Sequence, residues 1–543
     1  MKRGEGQQER PLRFEIGERV KCNLGPEGWA TGTIVGLQYR EDDWPEGKVS
    51  PYQIELDAKY DGCFIHAPDD IPSVIRAEDD EIVGTPSLPT RGNAAAALAA
   101  LRADMPALRA LPFMIKVEDP LVLPVAEHGG DLIKPTDETG PWIVEVCMQL
   151  DGLPLRLHLK CNRMWPQACA SVRFCGYSPH LAIAPDGLVD EDLLCRIEDD
   201  LRPPDMKSHS LAQTLQAIVK LFEDPSDYLP KSAGPVLIRA KEERERRLDI
   251  INTYRYGRRH QRLYDTEQGW EESWFDPGLW SAIADGSRER IRAVVTEEAT
   301  EVYSFPLFTQ EFCERYIEEI YSFYASGLPV RRPNSMNNYG VVLNEIGLEP
   351  MNDMLQTKIL QPIAHALFGD VGAHLGHQHT FIVRYKVGED LGLDMHTDDS
   401  DVTFNVCLGK DFEGAGLQFC GNQAEVMHRK ASKVYHHVKG RCVAHLGHRR
   451  HGADDITAGE RLNLIIWNHN PEYRKSHLYA RYNMQRRSSY DQEHEPPDAV
   501  CVSFTHDRDY GIFKPYTAKS LQHKGQGWCP PPHAEYPGFV EEN

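Results

Sequence analysis

The sequence predicts a multidomain protein of the α+β class, and three observations support this prediction. The chain has 543 residues, whereas one hydrophobic core usually serves about 100 to 200 residues. Hydrophobic residues make up 41% of the chain and charged residues 26%, which is ordinary for a globular protein. Short strand-like segments also lie among helix-forming segments. We therefore expect three or more domains that combine sheets and helices.

Charge and hydropathy argue against several classes of function. The formal net charge of −22 argues against general binding to nucleic acids or to anionic membranes. No run of about 18 apolar residues occurs in the sequence, so we expect no membrane-spanning helix. The first residues lack the apolar segment of a secretory signal. The expected location is therefore the cytoplasm or the nucleus.

The cysteines give a second indication of the compartment. There are 13 of them, and they are scattered, odd in number and without a C-x-x-C pair. A disulfide or zinc framework usually shows an even number at regular spacings. The pattern therefore predicts reduced thiols throughout the chain.

The N-terminal region reads as a short tail followed by a small β domain. After residues 1–12, residues 13–77 contain partly alternating strand candidates that are separated by Gly and Pro turns. This layout resembles the SH3-like or Tudor-like barrels. Four aromatic residues in it could form a cage for a peptide or a methylated side chain, or could fill the small core: Trp29, Tyr39, Trp44 and Tyr52.

The region 90–230 has the layout of a second α+β domain. An Ala-rich and Leu-rich helix candidate is followed by the strand candidates WIVEVCMQL and LPLRLHLKC, a long loop and the amphipathic helix candidate SLAQTLQAIVKLFEDP. This order of elements resembles the ubiquitin-conjugating fold. The resemblance implies a ubiquitin-related partner for this domain.

The active-site motif of that family is incomplete in this sequence. His180 and Gly187 fall where the family has its His-Pro-Asn stretch and the following Gly. The family's cysteine belongs near Val189 and Asp190, and Cys195 lies about five residues too late. Neither Val nor Asp can form a thioester, so we expect a domain without conjugating activity.

Two further segments have distinctive compositions. Residues 236–300 are rich in charge and partly helical, which is typical of a solvated linker helix, although a basic patch for a partner is an alternative. Residues 489–543 are rich in Pro, His and Gly. We expect them to form a loosely packed tail.

The stretch 381–408, FIVRYKVGEDLGLDMHTDDSDVTFNVCL, places polar groups between two apolar strand candidates. His396 and Asp398 are two residues apart, so both side chains face one side of an extended backbone. Two histidines and one carboxylate form the facial triad that binds iron(II) in non-haem oxygenases. The downstream segment GRCVAHLGHRRHGADD offers three candidates for the third ligand: His445, His448 and His451.

A candidate for binding the cosubstrate follows on the next apolar strand. Arg461 lies in GERLNLIIW, where most neighbouring residues are apolar. Its planar guanidinium can form two parallel hydrogen bonds with a carboxylate, which a lysine cannot do. Arg461 therefore suits the distal carboxylate of 2-oxoglutarate.

Together these motifs are similar to the 2-oxoglutarate and iron(II)-dependent dioxygenases of the prolyl/lysyl hydroxylase type. FIVRYK, MHTDDSDVTFNVCLGKDFEGAGLQF and HGADDITAGERLNLIIW look most like procollagen lysyl hydroxylase catalytic domains. They are also similar to a smaller group of intracellular 2-oxoglutarate oxygenase domain proteins, as is the segment Arg331–Leu348. The resemblance implies a double-stranded β-helix, or jelly roll, with flanking helices over residues 301–488.

The resemblance also implies roles for individual residues and a set of cofactors. His396, Asp398 and His451 would hold Fe(II), and Arg461 would bind 2-oxoglutarate. Tyr385 lies where many relatives place a tyrosine that lines the cosubstrate pocket. The ten-residue spacing to Arg461 favours His451 over His448, and His445 suits the core or the surroundings of the ligands. Dioxygen is the further cosubstrate, and ascorbate would keep the iron reduced.

The implied reaction is hydroxylation of a prolyl or lysyl side chain of an intracellular protein or peptide. Two alternatives use different features of the sequence. Arg461 and Asn463 begin like the Arg-x-Asn stretch of AlkB-like nucleic-acid demethylases, but Trp467 stands where that family has a second arginine. Alternatively, the two N-terminal domains make the chain an adaptor protein with an inert oxygenase domain.

Overall fold

A computed structural model describes most of the chain and is continuous over residues 234–489. The described residues are 12–23, 29–40, 49–57, 64–67, 74–77, 94–120, 125–126, 132–133, 140–150, 153–162, 165–175, 188–202, 208–223, 234–489, 492–507 and 509–515. They fall into two compact units, one essentially within residues 1–92 and a larger one that starts at residue 93. None of the described helices combines the length and the apolar character needed to cross a membrane.

The N-terminal unit contains one antiparallel sheet of five strands in the order β4-β3-β2-β1-β5. The strands are β1 Arg19–Asn23, β2 Trp29–Tyr39, β3 Ser50–Leu56, β4 Phe64–Ala67 and β5 Ile75–Ala77. Alternate residues of β3 are buried, as the partial alternation in the sequence predicts. The buried side chains include Val20, Ile34 and Ile54. Similarity to SH3-like or Tudor-like barrels stays a prediction.

The four N-terminal aromatic residues do not all face a ligand. Tyr52 is fully buried in the core of this sheet, and its hydroxyl accepts a hydrogen bond from the backbone N–H of Arg13 at 2.9 Å. Tyr39 stacks on His66. Trp44 and the side chain of Trp29 lie outside the described residues. Tyr52 therefore has the core-filling role and cannot line an open cage.

The larger unit begins with a helix and a four-stranded antiparallel sheet in the order β11-β10-β9-β6. The elements are α1 Ala94–Arg109, β6 Met114–Val117, the short pair β7 Val125–Ala126 and β8 Leu132–Ile133, β9 Trp142–Leu150, β10 Leu153–Cys161, β11 Ser171–Phe174, α2 Glu191–Leu201 and α3 Leu211–Glu223. Apolar faces of α1, α2 and α3 pack with the sheet in one core. This is the element order that the sequence predicts, and its ubiquitin-conjugating character stays a prediction.

Val189 and Asp190, near which the ubiquitin-conjugating family has its cysteine, both have structural roles here. Val189 is buried, and Asp190 caps α2 by accepting a hydrogen bond from the backbone N–H of Leu193 at 2.8 Å. His180 and Gly187 lie outside the described residues.

The prediction that all cysteines are reduced thiols is wrong for two pairs. The structure joins Cys169 to Cys195 in the middle region, and Cys420 to Cys501 near the C terminus. The cysteines of each pair are 26 and 81 residues apart in sequence. Such spacings carry no local signal, so the pairs become visible only when the fold brings them together.

The segment 236–300 is a linker only in its first part. It forms α4 Gly234–Tyr254, α5 Pro277–Asp285 and α6 Arg288–Ala293. From Ile250 onward its apolar side chains enter the core of the following domain. The hydroxyl of Tyr254 donates a hydrogen bond to Glu319 at 2.6 Å. The prediction of a solvated linker is therefore wrong for the residues after about 250, because the many charges of this segment lie around buried aromatic groups.

Two antiparallel sheets form the centre of the C-terminal domain, as the jelly-roll expectation requires. The larger has eight strands, with the path β12-β13-β21-β17-β23-β15-β14 and β18 paired to β23, and the smaller has the order β16-β22-β19-β20. The strands are β12 Thr296–Ala299, β13 Val302–Pro306, β14 Gly340–Val342, β15 His377–Lys386, β16 Leu393–His396, β17 Val402–Gly409, β18 Phe412–Gly414, β19 Leu417–Asn422, β20 Lys433–Tyr435, β21 Arg441–Leu446, β22 Arg449–Ala453 and β23 Ile456–His469.

Helices cover the outer face of the larger sheet. They are α7 Gln310–Ala325, α8 Glu349–Leu355 and α9 Gln361–Phe368, with a π-helical turn Gln356–Leu360 between the last two. Apolar residues of these helices share one core with α4, α5 and the larger sheet. The domain core therefore starts about 50 residues before the predicted boundary at residue 301. The helices leave the inner face of the sheet free to form a cavity.

The C-terminal segment is only partly a loose tail. After α10 Pro471–Lys475 and α11 His477–Ser488, the chain forms α12 Tyr510–Phe513. Cys501 and Tyr510 are buried. Ser503 donates a hydrogen bond at 2.6 Å to Asp394, which lies on β16 two residues before His396. The prediction of a loosely packed tail is therefore wrong for residues 492–507 and 509–515, because buried side chains, a disulfide and hydrogen bonds of polar side chains anchor them.

Candidate active site

Strand pairing brings the two candidate ligand histidines together. The strands β16 and β22 run antiparallel, and His396 stands directly opposite His451 in their register. Directly opposed residues in such a pair have neighbouring side chains on the same face. Asp398 follows β16 by two residues, and its backbone N–H donates to the carbonyl of Gly447 at 2.8 Å. Two segments that are more than 50 residues apart in sequence thus form one site.

A glycine makes this close approach possible. Gly447 lies in the turn between β21 and β22, and a Cβ added to it would lie 1.9 Å from the carbonyl oxygen of Ser400. No larger residue fits without moving the loop that carries Asp398. The sequence contains this signal in the Gly that precedes His448, but only the fold shows which segment it touches.

The three side chains present their ligand atoms to one point. Asp398 Oδ1 lies 3.4 Å from His396 Nε2 and 3.6 Å from His451 Nε2. One ligand atom from each residue lies within 4.8 Å of the other two. All three side chains are at most 8% exposed.

The other atoms of the triad are held by the protein, which fixes the ligand atoms in place. His396 Nδ1 donates to the carbonyl of Asp394 at 2.7 Å, and His451 Nδ1 donates to the carbonyl of Arg449 at 2.9 Å. Asp398 Oδ2 accepts from the hydroxyl of Thr403 at 2.6 Å. Such contacts orient metal ligands and leave each Nε2 for a metal. The residues therefore fit iron(II), which takes two histidines and one carboxylate on one face.

The charge states of the triad also fit a metal site. Burial opposes ionisation of Asp398, but His451 and His396 outweigh it and hold the Asp398 pKa below its ordinary value. Burial lowers the pKa of His451 to about 3. Burial also opposes protonation of His396, yet the hydrogen bond with Asp398 raises its pKa overall. At neutral pH, Asp398 is thus an anion and His451 is neutral, as metal ligands must be.

Arg461 lies in the same cavity and has no acidic partner there. It stands opposite Tyr385 in the pairing of β15 with β23, and it is 1% exposed. Its guanidinium donates to the carbonyl of Ala415 and lies 4.6 Å from the centre of the Tyr385 ring. In the described part of the chain, no carboxylate forms an ion pair with it, and its Nε has no hydrogen-bond partner. A buried cation of this kind needs an anion from outside.

The cavity connects the triad with Arg461. The three triad residues, Arg461 and Tyr385 all line it. Apolar side chains and a set of small polar side chains form the rest of the lining. Asn463 Nδ2 donates to Asn405 Oδ1 at 2.5 Å, and Asn337 Nδ2 donates to the Tyr385 hydroxyl at 3.3 Å. The polar lining residues are Asn334, Asn337, Thr403, Asn405 and Asn463.

The structure distinguishes among the three histidine candidates of the downstream segment. His451 enters the triad, as the spacing to Arg461 favours. His448 stacks on Tyr482 instead, and burial lowers its pKa to about 3. His445 is fully buried behind the site, with its Nε2 3.9 Å from Asp398 Oδ2. His445 therefore shapes the electrostatic surroundings of Asp398 rather than the triad itself.

Sequence reasoning missed three groups of this site. Thr403 holds the second oxygen of Asp398, and Asn337 reaches the Tyr385 hydroxyl from 48 residues away. Asn463 appeared only as part of an Arg-x-Asn match, whereas it lies in the cavity beside Asn405. Its place two residues after Arg461 on an apolar strand is the one local signal of a position that faces the cavity.

Comparison with known proteins agrees with this geometry. Residues 251–373 match the model of the OGFOD2-like domain. The 2-oxoglutarate and iron-dependent oxygenase domain-containing protein ICU11 of Arabidopsis thaliana is 34% identical over 264 residues, which are 47% of this chain and 64% of that protein. The human 2-oxoglutarate and iron-dependent oxygenase domain-containing protein 2 is 41% identical over 185 residues, or 34% and 52% of the two chains. This chain thus spans about half to two thirds of these relatives.

More distant similarities extend to named hydroxylases. Human procollagen-lysine,2-oxoglutarate 5-dioxygenase 1 is 25% identical over 182 residues, which are 31% of this chain and 24% of that protein. A solved prolyl 4-hydroxylase of Phytophthora capsici overlaps 37% of this chain and 68% of its own, at 15% identity and a TM-score of 0.27.

The site geometry and the sequence relatives are consistent with each other. The matched domain model ends before His396, so it covers the helices that precede the triad together with β12, β13 and β14 of the larger sheet. The triad and Arg461 lie in the two sheets. Residues 251–373 thus match the OGFOD2-like domain, and the C-terminal region is similar to 2-oxoglutarate and iron-dependent oxygenase domain-containing proteins.

Proposed function

We propose that this protein is an iron(II)- and 2-oxoglutarate-dependent dioxygenase that hydroxylates a prolyl or lysyl side chain of another protein. One observation carries the proposal. A single buried cavity holds a facial triad with free Nε2 atoms at one position and an arginine without an acidic partner at another. The first group fits iron(II), and the second fits the distal carboxylate of a dicarboxylic acid.

The residues of the cavity have separate tasks. Bound iron(II), with 2-oxoglutarate and dioxygen, supplies the oxidising chemistry for an unactivated C–H bond. Arg461 binds the distal carboxylate, and the Tyr385 ring packs against the guanidinium. Asn405 and Asn463 offer amide groups between these positions. Apolar side chains such as Phe381 and Leu417 exclude water from the cavity.

Protein is the proposed substrate class because of the relative that acts on procollagen lysine. The net charge of −22 also disfavours a polyanionic nucleic acid. Ascorbate is the proposed reductant that restores iron(II) after an oxidation without substrate. The cytoplasm or the nucleus is the proposed location, where the N-terminal and middle domains would bring protein partners to the oxygenase domain.

Product analysis tests this function. The full chain is reconstituted with iron(II), supplied with 2-oxoglutarate and ascorbate, and incubated with a peptide extract of a proteome. Mass spectrometry should find singly oxygenated prolyl or lysyl residues that are absent with the Asp398→Ala variant. Oxygenation of protein residues other than prolyl or lysyl would contradict the proposed residue type, and demethylation of alkylated nucleic-acid bases would establish the AlkB-like alternative. An inert protein with bound iron would support the adaptor alternative.

A further inference from the structure

The middle region contains a second cluster of groups that can bind a metal, separate from the iron site. Cys169 precedes β11, and His209 precedes α3. Cys195 and Glu198 lie three residues apart on α2, so their side chains share one face of the helix. Residues from three segments of the chain therefore meet at one place.

Distances within this cluster suit a compact metal site. Cys169 Sγ lies 3.5 Å from both ring nitrogens of His209, and His209 Nδ1 lies 2.8 Å from Glu198 Oε2. One ligand atom from each of Cys169, Glu198 and His209 lies within 4.8 Å of the others. In a tetrahedral zinc site, neighbouring ligand atoms lie about 3.3 to 3.8 Å apart, given bonds of about 2.0 to 2.3 Å. The sulfur of Cys195 is bonded to that of Cys169, so all four groups are in reach.

Glu198 indicates that a disulfide alone does not account for the cluster. The residue is 1% exposed, and its Oε1 has no hydrogen-bond partner. A buried carboxylate oxygen without a partner is costly. The Cys169–Cys195 bond makes no use of this oxygen or of the His209 ring beside it. A metal ion would use both.

We propose that the reduced protein binds one zinc ion through Cys169, Cys195, Glu198 and His209. Two thiolates, one imidazole and one carboxylate match the ligand types of tetrahedral zinc. Thiolates also favour zinc over the iron(II) that the facial triad takes. In the reduced protein, each thiol gives up one proton when zinc binds. Forming the disulfide instead removes two protons and two electrons from the same two thiols. The chain therefore holds either the disulfide or the zinc ion at this place.

The charges around the cluster support this assignment. Two thiolates, one carboxylate and Zn²⁺ have a net charge of −1. Arg202 lies at the same place, with its Nη2 3.0 Å from His209 Nδ1, and it also pairs with Asp199 at 2.9 Å. Arg202 thus places a cation beside the ligands, which favours a zinc site of negative charge, although it shares that cation with Asp199.

Zinc here would be structural and would not take part in the oxygenase reaction. Four protein ligands close the coordination sphere, which distinguishes structural zinc from catalytic zinc. The ion would tie the start of α3 and the segment before β11 to α2. The role of the middle domain would then be to present a rigid surface, and Cys195 would be a zinc ligand rather than a thioester-forming cysteine.

Cobalt(II) titration of the full chain tests the site directly. The protein is reduced with a phosphine, freed of metal and titrated under anaerobic conditions with Co²⁺. We expect a sulfur-to-cobalt charge-transfer band that saturates at about one equivalent and disappears on addition of Zn²⁺. The facial triad contains no sulfur, so this band reports on the cysteine site even when the triad also binds cobalt.

Variants locate the ligands. Cys169→Ser and His209→Ala should abolish the band, and Glu198→Gln should weaken cobalt binding by about tenfold or more. Cys147→Ser is the matched control, because Cys147 is a half-buried free thiol of the same domain, and it should leave the band unchanged. Zinc content, measured by mass spectrometry of the purified His396→Ala variant, should be about one per chain.

Two outcomes would overturn the proposal. One is a fully reduced chain that shows no sulfur-to-cobalt band, a result that needs no variant and is unaffected by any folding defect. The other is a band that persists in Cys169→Ser but disappears in Cys147→Ser. Succinate formation from 2-oxoglutarate in Cys169→Ser is measured in parallel, so failure of the zinc site is distinguishable from failure of the oxygenase proposal.

Discussion

Two buried arginines of the oxygenase domain have opposite surroundings. Arg450 on β22 is 2% exposed and donates to Asp507 Oδ2 at 2.6 Å. Arg461 on β23 is 1% exposed, and no acidic side chain of the described residues pairs with it. A buried guanidinium needs an anion. The first arginine has its partner in the chain, and we propose that the second receives one from outside. The comparison separates an arginine with a structural ion pair from one that we propose binds a ligand.

The C-terminal segment supplies the acidic partners of Arg450 and also those of a second buried arginine, Arg429. Arg429 pairs with Asp509 at 2.7 Å and also with Glu493. These acids lie beyond residue 488, in the segment where the sequence predicts a loose tail. In the part of the chain that the structure describes, no carboxylate forms an ion pair with Arg461 on β23. The difference between the two arginines therefore depends on which loops the fold brings to each of them. The local sequence differs as well, since it is apolar around Arg461 and polar around Arg450, but it does not show which acid lies nearby.

The largest expected effect concerns the paired arginine. Arg450→Met leaves Asp507 buried without its partner, so the free energy of unfolding should fall by about 3 to 5 kcal/mol. Chemical denaturation followed by tryptophan fluorescence measures this change. Arg461→Met is the matched control, because it makes the same substitution at an equally buried site. Equal losses in both variants would contradict the distinction between the two arginines.

The converse effect concerns ligand affinity. Arg461→Met should weaken binding of 2-oxoglutarate by about 30-fold, the lower end of what truncating a buried charge pair costs. Iron affinity should stay the same, since Arg461 is not a metal ligand. The measurement is an anaerobic titration followed by the iron(II)–2-oxoglutarate charge-transfer band. An unchanged affinity, with the circular dichroism spectrum intact, would remove Arg461 from the site.

The pH dependence of metal affinity tests the triad independently of Arg461. The pKa of His396 is raised, so below it the imidazole must release a proton before a metal binds. Affinity for Mn²⁺ at the triad should therefore fall by about tenfold for each pH unit below that pKa and level off above it. His451 adds little, because its pKa is about 3. A fall of about a hundredfold per pH unit would mean that a second group titrates in this range.

The smallest effect tests the geometry of the arginine rather than its charge. Arg461→Lys keeps the cation but loses the planar fork, so 2-oxoglutarate affinity should fall by about threefold to tenfold. The same charge-transfer titration measures it, with Arg450→Lys as a control that should leave affinity unchanged. Affinity equal to that of the wild-type protein would show that charge alone binds the cosubstrate.

The sequence contained the local part of the site but not its assembly. The spacing of His396 and Asp398 sufficed to predict a shared face, because side chains alternate along an extended backbone. The pairing of β16 with β22 joins residues 55 positions apart, so His451 needed a family resemblance to separate it from His448. Thr403 and Asn337 had no signal of their own, because their roles exist only through distant contacts.

The larger errors also have physical causes. The charged segment after residue 236 reads as solvated, yet Trp270 donates to the carbonyl of Met351 at 2.7 Å and packs among aromatic rings. The C-terminal segment reads as loose because its anchors are polar, such as the bond from Ser503 to Asp394. Composition predicts apolar burial well and polar anchoring poorly, since hydrogen bonds depend on the position of the partner.

Succinate formation from 2-oxoglutarate is the most direct test of the iron site and its activity. The full chain is reconstituted with iron(II) and assayed beside His451→Ala and His448→Ala, which change two histidines of the same segment. Only His451 has its Nε2 in the triad. We expect His451→Ala to lose turnover and His448→Ala to keep most of it. Turnover that survives in His451→Ala and is lost in His448→Ala would contradict the triad.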